Sequence, residues 1–222
     1  MDILLLILII VLPIAASINV KSTFSKYSKV QSMRGITAEQ AARRILDSNG
    51  LYNVNIERIN GNLTDHYDPR TNTVRLSETV YGKSSIAAIG VAAHECGHAC
   101  QHSENYMPIV IRSKLVPVTN ICSMLWYWVF LIGVFFFDTF PQLAYIGIIM
   151  FGAVVLFQIV TLPTEFNASG RALKTLESEA MLDISEIPAA KKVLGAAAMT
   201  YVVSLVTSIM QLLRLLLSVK RR

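Results

Sequence analysis

In a stretch of small and apolar residues stands His94-Glu95-Cys96-Gly97-His98, two imidazoles four positions apart with a carboxylate beside the first. On an α-helix, residues at that spacing share one face about 6 Å apart along the axis, so both rings can converge on one Zn²⁺ at roughly 2.0–2.1 Å. Glu95, turned by about 100° from His94, is directed instead at the water that such an ion activates, which is the place of a general base. This is an HExxH pattern, and its chemistry is zinc-assisted hydrolysis of a peptide bond. Gly97 fits a close approach by another backbone or by substrate, because an interior helical glycine otherwise costs about 1 kcal/mol against alanine.

A catalytic zinc takes three protein ligands and keeps one position open. His102 continues the ladder of His94 and His98, but on an unbroken helix it lies about 12 Å from His94. It joins the same ion only if the chain turns after His98, and the metzincin pattern that makes such a turn is not matched. His102 therefore reads as a surface or supporting residue. The remaining donors are Glu104, Glu165, Glu177, Glu179 and Glu186. Glu165 is best placed, since it follows Pro163-Thr164 directly after a long apolar block, where a fresh helix is expected to begin. Glu179 is the runner-up, with Asp183 four residues on. His66, Tyr67, Tyr81 and Arg171 are candidates for steadying an oxyanion, although each residue type more often serves structure. Cys96 lies off the histidine face and reads as a small buried thiol, as does Cys100. The three cysteines suit neither a disulfide framework nor a CxxC knuckle, and free thiols favour a reducing compartment.

These side chains need elements to hold them. Thr37-Ala38-Glu39-Gln40 is a capping-box start, and the helix it opens is expected to run to about Asp47 and stop at Asn49-Gly50. Residues 54–59 alternate, and Leu63–Tyr67 and Thr73–Leu76 flank the Pro-containing turn 68–72, which predicts a small antiparallel sheet. An extended peptide would add as a strand to its open edge. From Ser84 the pattern is helical through about His102.

The rest of the chain is membrane. Of 222 residues 53% are hydrophobic and only 16% charged, far from the roughly 25% charge of soluble domains. Apolar blocks at 3–20, 116–137, 143–162 and 193–213 are each long enough to cross about 30 Å of hydrocarbon. The first reads as a retained anchor, because no positive n-region precedes it. The two middle blocks, joined by the turn 138–142, form an antiparallel hairpin. The organisation expected is a transmembrane anchor at 1–20, a water-facing zincin-like segment at 21–115, a transmembrane hairpin at 116–162, a water-facing helical segment with the third ligand at 163–192, and a transmembrane or interfacial helix at 193–222. Of the 20 basic residues, 16 fall in 21–115 and 163–192, which places those segments in the cytoplasm by the positive-inside rule. The basic C-terminus conflicts with a fourth crossing, so three or four spans are expected. The net charge of +5 is then an orientation signal and a contact with the lipid bilayer, and nucleic-acid binding is not expected. The sequons at Asn62 and Asn167 stay idle on that side.

Four blocks carry a resemblance over nearly the whole chain: Asp65-His66-Tyr67-Asp68-Pro69, Leu76-Ser77, residues 94–101 around the HExxH, and Leu162-Pro163-Thr164-Glu165-Phe166-Asn167-Ala168-Ser169. The chain resembles the YugP-type membrane zinc metallopeptidases of bacteria, themselves distantly similar to the membrane-embedded heat-shock and prenyl-protein zinc proteases. The resemblance implies Glu165 as third ligand over Glu179, a gluzincin-like set with one catalytic zinc, and a multi-pass protein of the bacterial cell membrane acting on membrane-associated protein or peptide. Two positions depart from it: Asn167 stands where the family has Asp, and Ser169 where the distant relatives have Asp. An Asn there still accepts a hydrogen bond but brings no charge, which leaves room for weaker metal affinity or water activation. The fold expected is a mainly α-helical α+β membrane protein, with three to four transmembrane helices and a small antiparallel sheet packed beside an HExxH, zincin-like helix. A zinc-bound but non-hydrolytic scaffold or chaperone-like adaptor is the alternative, and Glu95 discriminates between the two.

Overall fold

The computed structural model describes residues 2–220. Six helices and three strands follow in the order α1 (Asp2–Tyr27), α2 (Ala38–Ser48), β1 (Asn55–Ile59), β2 (His66–Asp68), β3 (Thr73–Ser77), α3 (Ile86–Ser103), α4 (Met107–Phe135), α5 (Pro141–Ser178) and α6 (Ile187–Lys220). Among the described residues, α1, α4, α5 and α6 are long and apolar enough to cross a membrane. The last apolar block thus belongs to a helix of spanning length. Two compact units emerge from the contacts: one comprises the chain up to Ala16, Pro108–Pro163 and the chain from Thr200 onward, the other Ser17–Met107 with Thr164–Met199.

Within the first unit, α4 and α5 lie backbone to backbone. A Cβ on Gly133 would overlap Leu143 and Ala144, and one on Gly147 would meet Phe130 at 2.7 Å. Glycines are what allow apolar helices to approach this closely. Ile148, Phe151 and Val155 of α5 form a small apolar cluster with Leu215 and Val219 of α6.

The second unit has its own core, in which Ala38, Ala41, Ala42, Ile45 and Leu46 of α2 meet Val74 and Leu76 of β3 and the alanine-rich face of α3. Helix α2 opens at Thr37, whose amide donates to Gln40 Oε1 at 3.1 Å. From the middle of α2, the Arg43 guanidinium donates to the carbonyls of Val54 and Leu51 at 2.7 and 2.8 Å, tying the helix to the chain that enters β1. Helix α3 opens at Ser85, whose hydroxyl accepts from the Ala88 amide.

Strand order is β1-β3-β2. β2 and β3 form the expected antiparallel hairpin around Asp68, which accepts from the Arg70 amide and the Thr71 hydroxyl. β1, however, pairs with β3 in parallel, Asn55 opposite Thr73 and Ile59 opposite Ser77, so the sheet is mixed rather than antiparallel. β3 is the most buried strand and takes the centre, separating β1 from β2. Period-two alternation marks a buried face and carries no information about the direction of a neighbour.

A second correction concerns Pro163. No new helix begins there, since α5 runs through it without interruption. Beyond the apolar block, Thr164, Glu165, Ala168, Ser169, Ala172 and Leu176 are all buried, a stripe at three- and four-residue spacing that continues the helix past the end of the hydrophobic run. The lost donor costs one ladder bond, which such helices tolerate.

Candidate metal centre

Two helices supply the centre. α3 presents His94 and His98 on one face, and α5 presents Glu165 from its buried stripe. His94 Nε2 lies 3.3 Å from Glu165 Oε2, and His98 Nε2 lies 3.7 Å from the same oxygen. Among the described residues, these three form the group of His, Cys, Asp and Glu side chains able to hold a metal, with donor atoms all within 4.8 Å of one another. Zinc in a tetrahedral site at about 2.0–2.2 Å sets neighbouring donors roughly 3.4 Å apart. Two imidazoles and a carboxylate at these separations, enclosed and close to that spacing, fit a zinc ion. Glu165 is 2% exposed, and a carboxylate so deeply placed needs cationic or metal partners.

The close approach has a visible cause. A Cβ on Gly97 would stand 2.8 Å from the Ala168 carbonyl oxygen and 3.1 Å from its Cα, so glycine at this position is what lets α3 and α5 bring their donors together. Burial works against charge on His98, but Glu165 and Glu95 outweigh it and hold the imidazole above its ordinary histidine range. A metal needs the neutral ring, so its uptake releases protons.

Each histidine is held at its other nitrogen. Ser169 Oγ lies 3.1 Å from His94 Nδ1, and Gln101 Oε1 lies 3.0 Å from His98 Nδ1. Ser169 thus stands against the His94 imidazole. Asn167 accepts from Gln101 Nε2 and from Arg171 Nε, so it reaches His98 only through Gln101. Glu95 is buried, and its Oε2 accepts the Tyr67 amide of β2 at 3.1 Å, which binds the sheet to the HExxH helix.

The other candidates lie apart from the donor group. Glu179 is exposed just beyond α5; Glu104 pairs with Arg171; Glu177 is exposed; and Glu186 is buried, accepting the amides of Met33 and Asp183. His102 packs against the Tyr67 ring at 5.5 Å. Of the oxyanion candidates, His66 bonds the Thr64 carbonyl, Tyr67 donates its hydroxyl to Asn72 Oδ1, Tyr81 packs on the core, and Arg171 is engaged by Glu104 and Asn167. Cys96 is wholly buried with its thiol toward the Ala42 carbonyl, and burial pushes its pKa up, as expected of an inert packing residue. The reading of residue types missed Gln101 as a partner of His98. Its i+3 spacing from His98 was the available signal.

A curated relative from Bacillus subtilis (strain 168), named "Putative membrane protease YugP", is 50% identical over 199 residues, covering 90% of this chain and 88% of the relative. No solved structure matches significantly. Residues 2–220 match the sequence profile of one family, and the chain belongs to it: the family described as "Putative neutral zinc metallopeptidase".

Proposed function

We propose that this chain is a membrane-embedded zinc endopeptidase that hydrolyses peptide bonds of membrane-associated proteins. One observation carries the reading: His94 and His98 meet Glu165 at 3.3 and 3.7 Å, with Glu95 on the same turn as His94. His94, His98 and Glu165 are the ligands of a single ion. When bound, zinc supplies Lewis acidity, polarising a carbonyl and lowering the pKa of water toward about 7.

The remaining work falls to the chain. Glu95 has one carboxylate oxygen tethered to the Tyr67 amide, which leaves Oε1 to take a proton from the attacking water and to return it to the departing amine nitrogen. β2 is an edge strand beside Glu95, and an extended substrate running along it brings its carbonyl near the base. Four helices of spanning length and the relative's name support residence in a bacterial cell membrane. The 16 basic residues in 21–115 and 163–192 support a centre facing the cytoplasm.

The test is metal content and turnover of a membrane-protein substrate by purified full-length variants. Glu95→Gln keeps its zinc and loses at least about 10²-fold in turnover. Glu165→Ala loses zinc, whereas Glu179→Ala retains it. Full proteolysis by Glu95→Gln, or zinc lost from Glu179→Ala and kept by Glu165→Ala, sinks the assignment.

A further inference from the structure

Gln101 lies one turn beyond His98 on α3 and is fully buried, with both ends of its amide engaged. Nε2 is 2.8 Å from the Thr164 carbonyl oxygen and 2.9 Å from Asn167 Oδ1, while Oε1 is 3.0 Å from His98 Nδ1. A backbone carbonyl can only accept, so the atom facing Thr164 must be the NH₂ group. The oxygen then faces His98 and can only accept. Two acceptors therefore face the His98 ring, and only one is at hydrogen-bond distance: Gln101 Oε1 is 3.0 Å from Nδ1, whereas Glu165 Oε2 is 3.7 Å from Nε2, so the single proton of the neutral ring sits on Nδ1.

The next link also has a single polarity. Asn167 Oδ1 receives Gln101 Nε2 and, at 2.8 Å, Arg171 Nε. A guanidinium can only donate, so Asn167 is compelled to present its oxygen and thereby to accept from Gln101. Arg171 is itself fixed by a two-pronged pairing with Glu104, both contacts at 2.7 Å. No such constraint acts on His94, whose partner Ser169 has a hydroxyl that can donate or accept.

We propose that Gln101 is a positioning residue that locks His98 as its Nδ1–H tautomer, with Asn167 and Arg171 locking Gln101 in turn. His98 is thereby set to offer Nε2 before any metal arrives. The purpose of the lock rests on His98 being a zinc ligand, as proposed above; the tautomer itself does not.

The experiment uses the zinc-free full-length protein in lipid nanodiscs, labelled with ¹⁵N-histidine, at a pH well above the histidine range. Long-range ¹H–¹⁵N spectra distinguish the two neutral tautomers, and the chain has only 4 histidines to assign. Wild-type His98 shows the Nδ1–H pattern alone. Gln101→Met and Asn167→Leu turn it into a mixture, whereas Asn167→Asp, which keeps an acceptor for both neighbours, restores it. Zinc affinity, read by chelator competition, falls about 10- to 100-fold in Gln101→Met and holds in Asn167→Asp. A wild-type His98 with its proton on Nε2, or divided between the nitrogens, overturns the proposal without recourse to any variant. So does a Gln101→Met protein whose His98 remains purely Nδ1–H. A wild type with the expected tautomer and no zinc affinity supports the lock and sinks the metallopeptidase reading.

Discussion

Replacing Gly97 by alanine separates two opposing effects at one atom. In the middle of a helix, Gly→Ala ordinarily stabilises by about 1 kcal/mol. Here the new methyl would stand 2.8 Å from the Ala168 oxygen, against the 3.4 Å at which ordinary contact begins, so α3 and α5 must part by about 0.6 Å at this level. The obstacle is helix backbone, which cannot rotate aside, and overpacking of this kind costs about 1–3 kcal/mol. The displacement is also about three times the roughly 0.2 Å tolerance of a metal–ligand distance. Ala168 lies within one turn of Glu165, so the proposed ligand is carried along. Gly97→Ala is expected to lower the unfolding midpoint and to weaken zinc binding about 10- to 100-fold. Gly90→Ala is the control on the same helix: its Cβ would meet only the Ala190 methyl at 3.9 Å, and it should stabilise by about 0.5–1 kcal/mol with zinc affinity unchanged. Thermal unfolding followed by circular dichroism and competition with a zinc chelator read both quantities. If Gly97→Ala gains stability as Gly90→Ala does and keeps its affinity, the close approach is not what sets the metal site.

Glu186 holds the amides of Met33 and Asp183 at 2.9 and 2.8 Å with a buried carboxylate, so Glu186→Ala should cost about 2–4 kcal/mol in denaturant unfolding. Ala180 follows α5 with φ at 48°, while the Met181 amide returns to the Leu176 carbonyl; Ala180→Gly should raise stability by about 1 kcal/mol in the same assay, because glycine enters that left-handed conformation without penalty. The Asp68 carboxyl is drawn down to about 2, chiefly by its hydrogen bond with Arg75 and then by the Arg70 amide. Its folded value lies below its unfolded one, so its stabilising contribution is complete above the ordinary carboxylate range and is lost as pH falls toward about 2. The stability gap between wild type and Asp68→Asn should accordingly be constant at neutral pH and close in acid.

Much of this organisation can be read from residue types, and the exceptions have physical reasons. Thr37 and Gln40 announce the start of α2, and Asn49-Gly50 its end, because capping is a local hydrogen-bonding problem. The HExxH spacing puts His94 and His98 on one face for the same local reason. Strand direction is not local: alternation in Asn55–Ile59 suits a parallel neighbour as well as an antiparallel one, and only the deeper burial of Thr73–Ser77 decides that β3 lies between the other two. At Pro163 the end of hydrophobicity resembled the end of a helix, although the buried stripe from Thr164 to Leu176 keeps helical spacing. Glu165 could be favoured by its position, but its meeting with His94 and His98 depends on a glycine contact between distant segments. Gln101 escaped notice because an amide has no metal chemistry of its own. Its role comes from the fixed polarity of the groups around it.

The division of the site between α3 and α5 also bears on how the protein is made. His94 and Ser169 touch across 75 residues of chain, and Glu165 emerges from the ribosome long after the two histidines. A nascent chain that stops short of α5 has two imidazoles, no Glu165 carboxylate to complete the set, and neither Thr164 nor Asn167 to accept from Gln101 Nε2. Closing so long a loop must precede any reward from the contacts it creates. On the proposed reading, hydrolytic competence therefore arrives only once α5 has joined α3, and a copy in the membrane that stops short of that step is harmless to its neighbours.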